Sequence, residues 1–322
     1  MKVLIINNLQ SGLRDGSIFE FVRKLARDGD EIIIRNTDGH TPLESLISGT
    51  ESCDCIVASG GDGTIASVCY ALKSSGIPIL PFPAGTGNLL VTNLNQPEEP
   101  YALVDMIRDG FTLDFDLGEF SCDCDEGSVV KGFIITSGAG YDATIMENSE
   151  SLKEPFGPGA YIIAALGNTS PELAHFTIHL DDRTVKVDGI AVLVLNFAKI
   201  YPDISITHAN DARDGLFEIV VLKPQNTVEL LPALIAAFLD RTGKFPHRTD
   251  ALETFRSKQV RVESDPALHV QFDGEAPGLT TPFEARVLPG AVRLIVTKQE
   301  FDHLTQSDSS SDASASESDG PT

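Results

Sequence analysis

The stretch that most restricts the fold is Ile56-Val57-Ala58-Ser59-Gly60-Gly61-Asp62-Gly63-Thr64, with Ile65, Val68, Cys69 and Leu72 following at helical spacing. A short apolar run, a glycine turn and an amphipathic helix in that order make a strand–turn–helix unit. The flanking sequence repeats the alternation. Val3 to Ile6 reads as a strand, Ile18, Phe19, Val22, Leu25 and Ala26 as a helix, and Ile32 to Ile34 as a second strand. Leu43, Leu46 and Ile47 suggest a short helix, Ile77 to Phe82 a fourth strand, and Pro97 and Pro100 introduce a helix from about Tyr101 to Arg108. Apolar strands alternating with helices need cover on both faces, so the expectation is a parallel α/β sheet.

A glycine turn between a strand and a helix N-terminus cradles anions. Glycines let the backbone approach, and unpaired N–H groups with the helix dipole favour phosphate. Asp62 does not suit a pure anion site, because a carboxylate repels phosphate. It fits if Mg²⁺ intervenes, or if it accepts a proton from an attacking hydroxyl. An unliganded tight turn is the plainer alternative. No segment fits the G-x-x-x-x-G-K-[ST] loop. Gly61, Gly63 and Ala66 meet the loose dinucleotide pattern, but no Asp or Glu lies between Asp62 and Glu98 to hold a ribose, so a nicotinamide dehydrogenase is excluded. A second turn, Pro83-Ala84-Gly85-Thr86-Gly87-Asn88, follows the fourth strand, and Thr86 and Asn88 are candidate neutral donors to phosphate.

After about Leu113 the pattern becomes short alternating runs: Phe115–Phe120, Val129–Ser137, Phe176–Leu180, Val185–Phe197, Phe217–Leu222, Val260–Glu263, His269–Phe272, Phe283–Val287 and Val292–Val296. They predict an antiparallel β domain, interrupted by helices near Gly157–Leu166 and Val228–Leu239. The expected organisation is an α/β domain over 1–113 and a β-sandwich over 114–302, whose last strand can pack on the first domain. A disordered tail, 303–322, carries Asp308, Asp312, Glu317 and Asp319 and no Lys or Arg.

The chain of 322 residues has 47 Asp and Glu against 24 Lys and Arg, a formal charge of −23. Nucleic-acid binders draw affinity from cations on phosphate, so that class is excluded. Constitutive polybasic attachment to anionic lipid is disfavoured too. No apolar run is long enough for a signal peptide or a membrane span, and five Cys argue against a disulfide scaffold, so a cytoplasmic protein is expected.

Here the residues reach a family. G-G-D-G-T at 60–64, with P-A-G-T-G-N at 83–88 a strand later, resembles the diacylglycerol kinase catalytic domain, a family that includes bacterial lipid kinases and sphingoid-base kinases. The first motif alone is shared with NAD kinases and phosphofructokinases. Asn8 and Ser11-Gly12 stand where the family has an N-P-x-S-G turn. Ser137 to Ala143 resembles its G-x-D-A segment, Ala209 to Glu218 its A-x-x-x-D-G segment, and Asp273-Gly274-Glu275 its D-G-E. The resemblance implies an NAD kinase-like α/β domain followed by a β-sandwich, with ATP and Mg²⁺ between them and γ-phosphoryl transfer to a lipid hydroxyl. Diacylglycerol is the leading acceptor; a sphingoid base or another lipid alcohol comes next. An NAD kinase-like enzyme and a non-catalytic nucleotide or lipid sensor are the remaining alternatives.

On that resemblance Asp62 is the metal or base partner and Glu275 its rival as base. Asn8, Ser11, Gly12, Gly60, Gly61, Gly63, Thr64, Gly85, Thr86, Gly87, Asn88 and Asp273 form the nucleotide site. Asp214 and the Leu216 carbonyl correspond to a structural Mg²⁺ site of some bacterial members, while Asp214-Gly215 is otherwise an ordinary hairpin turn. The chain departs from the family at Leu9 (Pro), Leu89 (Asp) and Asp211 (Lys in some members with that metal). Such an enzyme meets its lipid substrate transiently at a membrane; homodimerisation stays open.

Cys53, Cys55, Cys122 and Cys124 have the wrong spacing for zinc, and His175 and His179 read as solvent-facing residues on one strand face. Arg241, Lys244, Arg248, Arg256, Lys258 and Arg261 form a local basic window, read as a mixed-charge face or a lipid-headgroup patch.

Overall fold

The computed structural model describes residues 1–11, 16–27, 29–37, 41–124, 127–140, 172–201, 204–205, 211–223 and 252–306. Gly12, the expected helices near 157–166 and 228–239, Tyr141 to Ala143, Ala209, Arg241, Lys244, Arg248 and residues 307–322 lie outside them. The contacts form two compact units: 1–61, 75–114 and 293–322; and 62–74 with 115–292.

The first unit holds strands β1 (Lys2–Asn8), β2 (Glu31–Thr37), β3 (Cys55–Gly60) and β4 (Ile79–Pro83) in the order β2-β1-β3-β4, all parallel. Val3 pairs with Ile32 on one side and Cys55 on the other. β3 is buried along its whole length, as a central strand covered on both faces requires. Helix α1 (Ser17–Leu25) turns Ile18, Phe21 and Leu25 inward at spacings of three and four. Phe21 meets Phe82 edge to face at 5.3 Å, and each such buried side chain is worth roughly 1.5–3 kcal/mol of transfer free energy. Helix α2 (Leu43–Leu46) is a single turn.

Helix α3 (Asp62–Ala71) opens at the glycine turn, and α4 (Leu89–Asn93) follows the second turn. Helix α5 (Pro100–Asp109) starts with Pro in its first turn, and Gly110, at φ 71°, returns its N–H to the Met106 carbonyl. Arg108 and the N-terminal ammonium both bind Asp30, holding its carboxyl down at about 2.

The second unit is a β-sandwich. Its strands are β5 (Thr112–Cys124, from Phe115 onward), β6 (Gly127–Phe133), β7 (Thr136–Gly140), β8 (Ala174–His179), β9 (Thr184–Gly189) and β10 (Ala191–Leu195). The short pair β11 (Lys199–Tyr201) and β12 (Ile204–Ser205) follows, then β13 (Phe217–Leu222), β14 (Leu252–Ser257), β15 (Gln259–Asp265), β16 (Val270–Phe272) and β17 (Phe283–Ile295, as far as Val292). One face has the antiparallel order β14-β13-β10-β7-β16; β8, β9, β15, β17, β5 and β6 supply the other. Alternate side chains from both faces, among them Phe120, Phe133, Phe176, Phe217 and Phe283, fill one core. Phe120 stacks on Phe283 and Phe133 on Phe217, both with centroids 5.4 Å apart.

Several expectations are corrected. The run Val129–Ser137 is two strands, because the N–H groups of Ile134, Ile135 and Thr136 turn out of the ladder to the Asp273 carboxylate. Val185–Phe197 also divides, at Gly189-Ile190, since β9 pairs with β8 and β10 with β7 and β13. The last two runs are one strand, β17. It passes Pro289-Gly290, where Asp116 takes the Gly290 N–H; its last residues, from Arg293, belong to the first unit, where Leu294 pairs with Ile79. β14 was not anticipated. Helix α3 packs with the second unit rather than the first: Tyr70 covers Gly132, where no Cβ would fit, and donates to Glu119 Oε2 at 2.6 Å. Residues 303–306 belong to a final helix, α6 (298–306), rather than to the tail. Phe301 on α6 packs against Phe111 at 5.3 Å, and Glu300 accepts from Asn95.

Candidate active site

In the first unit two loops leave the C-terminal ends of adjacent parallel strands. Gly60 on β3 pairs with Pro83 on β4, and the Ala84 N–H donates to the Gly60 carbonyl at 3.2 Å. The strand pairing therefore carries Gly61 against Gly85. A Cβ on Gly85 would lie 2.5 Å from Gly61 Cα, closer than any real contact. Asn88, in the left-handed region at φ 49°, accepts the Gly85 N–H on Oδ1 at 3.0 Å and so closes its own turn. Its Oδ1 thus shapes the loop, a role that spacing alone did not suggest. Ser11 Oγ donates to the Ala84 carbonyl at 3.1 Å, and Asn8 Oδ1 accepts the Gln10 N–H at 2.9 Å. Asn8, Ser11, Gly60, Gly61, Gly85 and Asn88 thus meet at one sheet edge. Thr86 and Gly87 are exposed at the loop tip.

Beneath these loops runs a polar row that the motifs missed. Ser59 Oγ donates to Asn7 Oδ1, and Asn7 Nδ2 donates to Asn36 Oδ1, both at 3.0 Å. The signal was present in the strand endings, where each apolar run closes on a polar residue. The row ties three strand ends together under the loops.

In the second unit α3 begins with Asp62, Gly63 and Thr64, so its first-turn N–H groups lie in the glycine turn. Phe272-Asp273-Gly274-Glu275 is a two-residue hairpin. Phe272 and Glu275 exchange backbone hydrogen bonds of 3.1 and 2.8 Å, and both central residues have positive φ, 44° and 83°. Asp273 fixes this hairpin by accepting the N–H groups of Ile134, Ile135 and Thr136 at 2.6, 2.8 and 3.0 Å. Asp273 is therefore an anchor of this hairpin, a role beside the nucleotide contact that the resemblance implied. The hairpin presents exposed Glu275 to the first turn of α3; a Cβ on Gly63 would lie 2.5 Å from Glu275 Oε1. Asp62, Gly63, Thr64, Asp273 and Glu275 thus come together.

Burial pushes the Asp273 carboxyl up to about 7, and the Asp62 charge adds to that, against the pull of the three N–H donors. The folded protein then holds this proton more tightly than the unfolded chain. The stabilisation is complete below about 3.8 and is lost as pH rises to about 7. Asp273→Asn is expected to flatten the fall in urea midpoint between those limits while lowering stability overall, because its amide N–H₂ faces three donors. An unchanged slope in paired melts would show that Asp273 does not titrate there.

The other candidates have different roles. Asp214 Oδ1 accepts the Leu216 N–H at 2.9 Å and its carboxylate pairs with Arg256. Arg261 of the basic window bridges Glu263 and Glu284. Cys122 Sγ donates to the Thr280 and Pro282 carbonyls, and His175 pairs with Asp188. Among the described residues no three His, Cys, Asp or Glu are placed to hold a metal ion, and no helix is long and apolar enough to cross a membrane.

Comparison with known proteins matches residues 2–120 to the diacylglycerol kinase catalytic domain and residues 136–296 to the YegS C-terminal NAD kinase beta sandwich-like domain. A protein named diacylglycerol kinase from Mycobacterium tuberculosis is 27% identical over 274 residues, covering 84% of this chain and 85% of that protein. An uncharacterized Synechocystis protein is 28% identical over 248 residues, 74% of this chain, but the match spans only 54% of its length. The crystal structure of a putative diacylglycerol kinase from Bacillus anthracis shares the fold, with a TM-score of 0.75, 19% identity, and coverage of 92% of this chain and 97% of that one. With both domain matches in sequence order, and with the glycine turns and the D-G-E hairpin formed, the chain belongs to the diacylglycerol kinase family, phosphotransferases of the lipid-kinase type.

Proposed function

We propose that the protein transfers the γ-phosphoryl group of ATP to the free hydroxyl of diacylglycerol, producing phosphatidate and ADP. The observation that carries this reading is the placing of Glu275 against the helix turn that begins with Asp62. In the reaction the lipid O–H loses its proton to a carboxylate as its oxygen bonds to the γ-phosphorus. The bond from that phosphorus to the β–γ bridging oxygen breaks, and ADP leaves with the electron pair.

The chain's own groups divide this work. In the first unit the backbone N–H groups of Gly60, Gly61 and the 85–88 turn suit phosphate oxygens, with Thr86 as a hydroxyl donor; in the second unit the first turn of α3 and the Thr64 hydroxyl offer groups of the same kind. Glu275 is exposed, which suits it to take the lipid proton. Asp62 then remains for the metal. Mg²⁺ bound with the nucleotide would neutralise charge on the transferring group, and a set of one or two carboxylates plus phosphate oxygens suits that ion without a three-residue protein cluster. The acidic surface suits a cytoplasmic protein that meets its lipid only transiently.

The test is an acceptor panel. The purified chain is incubated with γ-labelled ATP, MgCl₂ and mixed micelles containing diacylglycerol, sphingosine or phosphatidylglycerol, and separately with NAD. The expected result is label in phosphatidate at a rate at least about tenfold above every other arm, a discrimination of about 1.4 kcal/mol. Preferential label in sphingosine phosphate or phosphorylated phosphatidylglycerol would overturn the acceptor. Label only in NAD, or in nothing, would overturn the lipid-kinase assignment of this site.

A further inference from the structure

Three carboxylates lie together in the second unit, around the turn formed by residues 211–216. Asp116 is 1% exposed and gives one oxygen to the Gly215 N–H and the other to the Gly290 N–H, both at 2.7 Å. The Asp116 N–H in turn donates to the Ala212 carbonyl at 2.8 Å. Asp211 accepts the Arg213 N–H at 3.1 Å, and Asp214 accepts the Leu216 N–H at 2.9 Å. Asp211 and Asp214 raise the Asp116 carboxyl by their charge, secondary to its burial.

Family resemblance puts a divalent ion on Asp214 and the Leu216 carbonyl. This chain's residues do not fit it. Both oxygens of Asp116 are taken by backbone donors, and Asp214 is taken by Leu216 and by the Arg256 guanidinium. Arg256 is presented by β14, whose register sets it opposite Glu218, two residues past Leu216 on the paired strand. An arginine stays protonated, offers donors in a rigid fork, and cannot be displaced by dilution or chelation.

We infer that Arg256 is the built-in cation at Asp214, as the Arg213 guanidinium is at Asp211, standing in for a bound divalent ion, so that the 211–216 turn is held without metal. Any Mg²⁺ requirement of the chain then arises elsewhere. The inference does not depend on the acceptor or on phosphoryl transfer, and its test uses neither ATP nor lipid.

The experiment compares melting temperatures in EDTA and in millimolar MgCl₂ for the wild type, Asp214→Asn, Arg256→Ala, Arg256→Lys and the Arg256→Ala/Asp214→Asn pair. Wild type and Asp214→Asn are expected to respond equally to Mg²⁺, because any response comes from carboxylates other than Asp214. Arg256→Ala is expected to melt about 2–4 °C lower in EDTA, the scale for a half-exposed ion pair backed by two further acids. Mg²⁺ should restore most of that loss, but not in the Asp214→Asn pair, and Arg256→Lys should recover part of it in EDTA. A Mg²⁺ stabilisation of the wild type that Asp214→Asn abolishes would place a metal there and overturn the inference. So would an Arg256→Ala protein as stable in EDTA as the wild type. If Arg256→Ala does not fold, the wild type, Asp214→Asn and Arg256→Lys still decide it, aided by a count of Mn²⁺ bound to wild type and Asp214→Asn in spin-resonance titration.

Discussion

Asp62→Asn is expected to lower kcat for lipid phosphorylation by about a thousandfold, with the dissociation constant for ATP within a few-fold of the wild type. The magnitude follows from general-base and charge-positioning effects, each typically worth about 10²–10⁴ in rate. Asp62 leads a helix of ten residues, where the N-terminal dipole favours its charged form and the first-turn N–H groups favour phosphate beside it. Asparagine keeps the shape and the helix start but removes the negative charge, so folding and backbone contacts to nucleotide should survive. Glu275→Gln supplies the comparison that separates roles. If Asp62 serves the metal and Glu275 the proton, Asp62→Asn raises the Mg²⁺ concentration for half-maximal rate, and Glu275→Gln leaves it alone while lowering kcat. Wild-type turnover by Asp62→Asn, measured with labelled ATP at saturating Mg²⁺, would remove Asp62 from the chemistry altogether.

The parts of this site that were legible in the sequence are those carried by local pattern. β1, β3 and β4 appear as apolar runs because a strand covered on both faces has no polar side to show, and the glycine turns at their ends have few other uses. Long-range capture of backbone groups left no such trace. The division of β6 from β7 depends on an aspartate about 140 positions away, since the Ile134 and Ile135 N–H groups bond to Asp273, and nothing at 134–135 announces a break. Equally, Pro289-Gly290 reads locally as a stop, yet β17 runs through it. The allegiance of α3 was hidden for a related reason. Its chain neighbours belong to the parallel sheet, while Tyr70 reaches β5 and β6 through Glu119 and Gly132. The D-G-E motif drew attention for its carboxylates, whereas two positive φ values show that its first two residues also build the turn that displays the third.

Gly85→Ala is expected to weaken ATP binding at least about tenfold and to cut kcat about a hundredfold, with a loss of about 1–3 kcal/mol in stability from overpacking. Gly85 does not have a positive φ, so backbone freedom is not the reason. The reason is space: its Cβ would sit 2.5 Å from Gly61 Cα, 3.3 Å from Gly61 N and 3.1 Å from Asn88 Oδ1. Relief requires the two loops to separate by about 1 Å, to the usual carbon–carbon distance. They resist, because Ala84 is bonded to Gly60, Ser11 to Ala84 and Gly85 to Asn88. Gly61→Ala is the internal control, since a Cβ there meets Gly85 Cα only at 3.7 Å and Ser11 Oγ at 3.8 Å, which are ordinary contacts. Its urea midpoint should stay within about 0.5 kcal/mol of the wild type in free energy, as substitutions without a steric conflict do. Melts and calorimetric ATP titrations of the two variants side by side settle the matter. Equal stability losses would mean that the loops do not touch as described. A stable Gly85→Ala protein with wild-type ATP affinity would show that the phosphate cradle does not depend on their close approach.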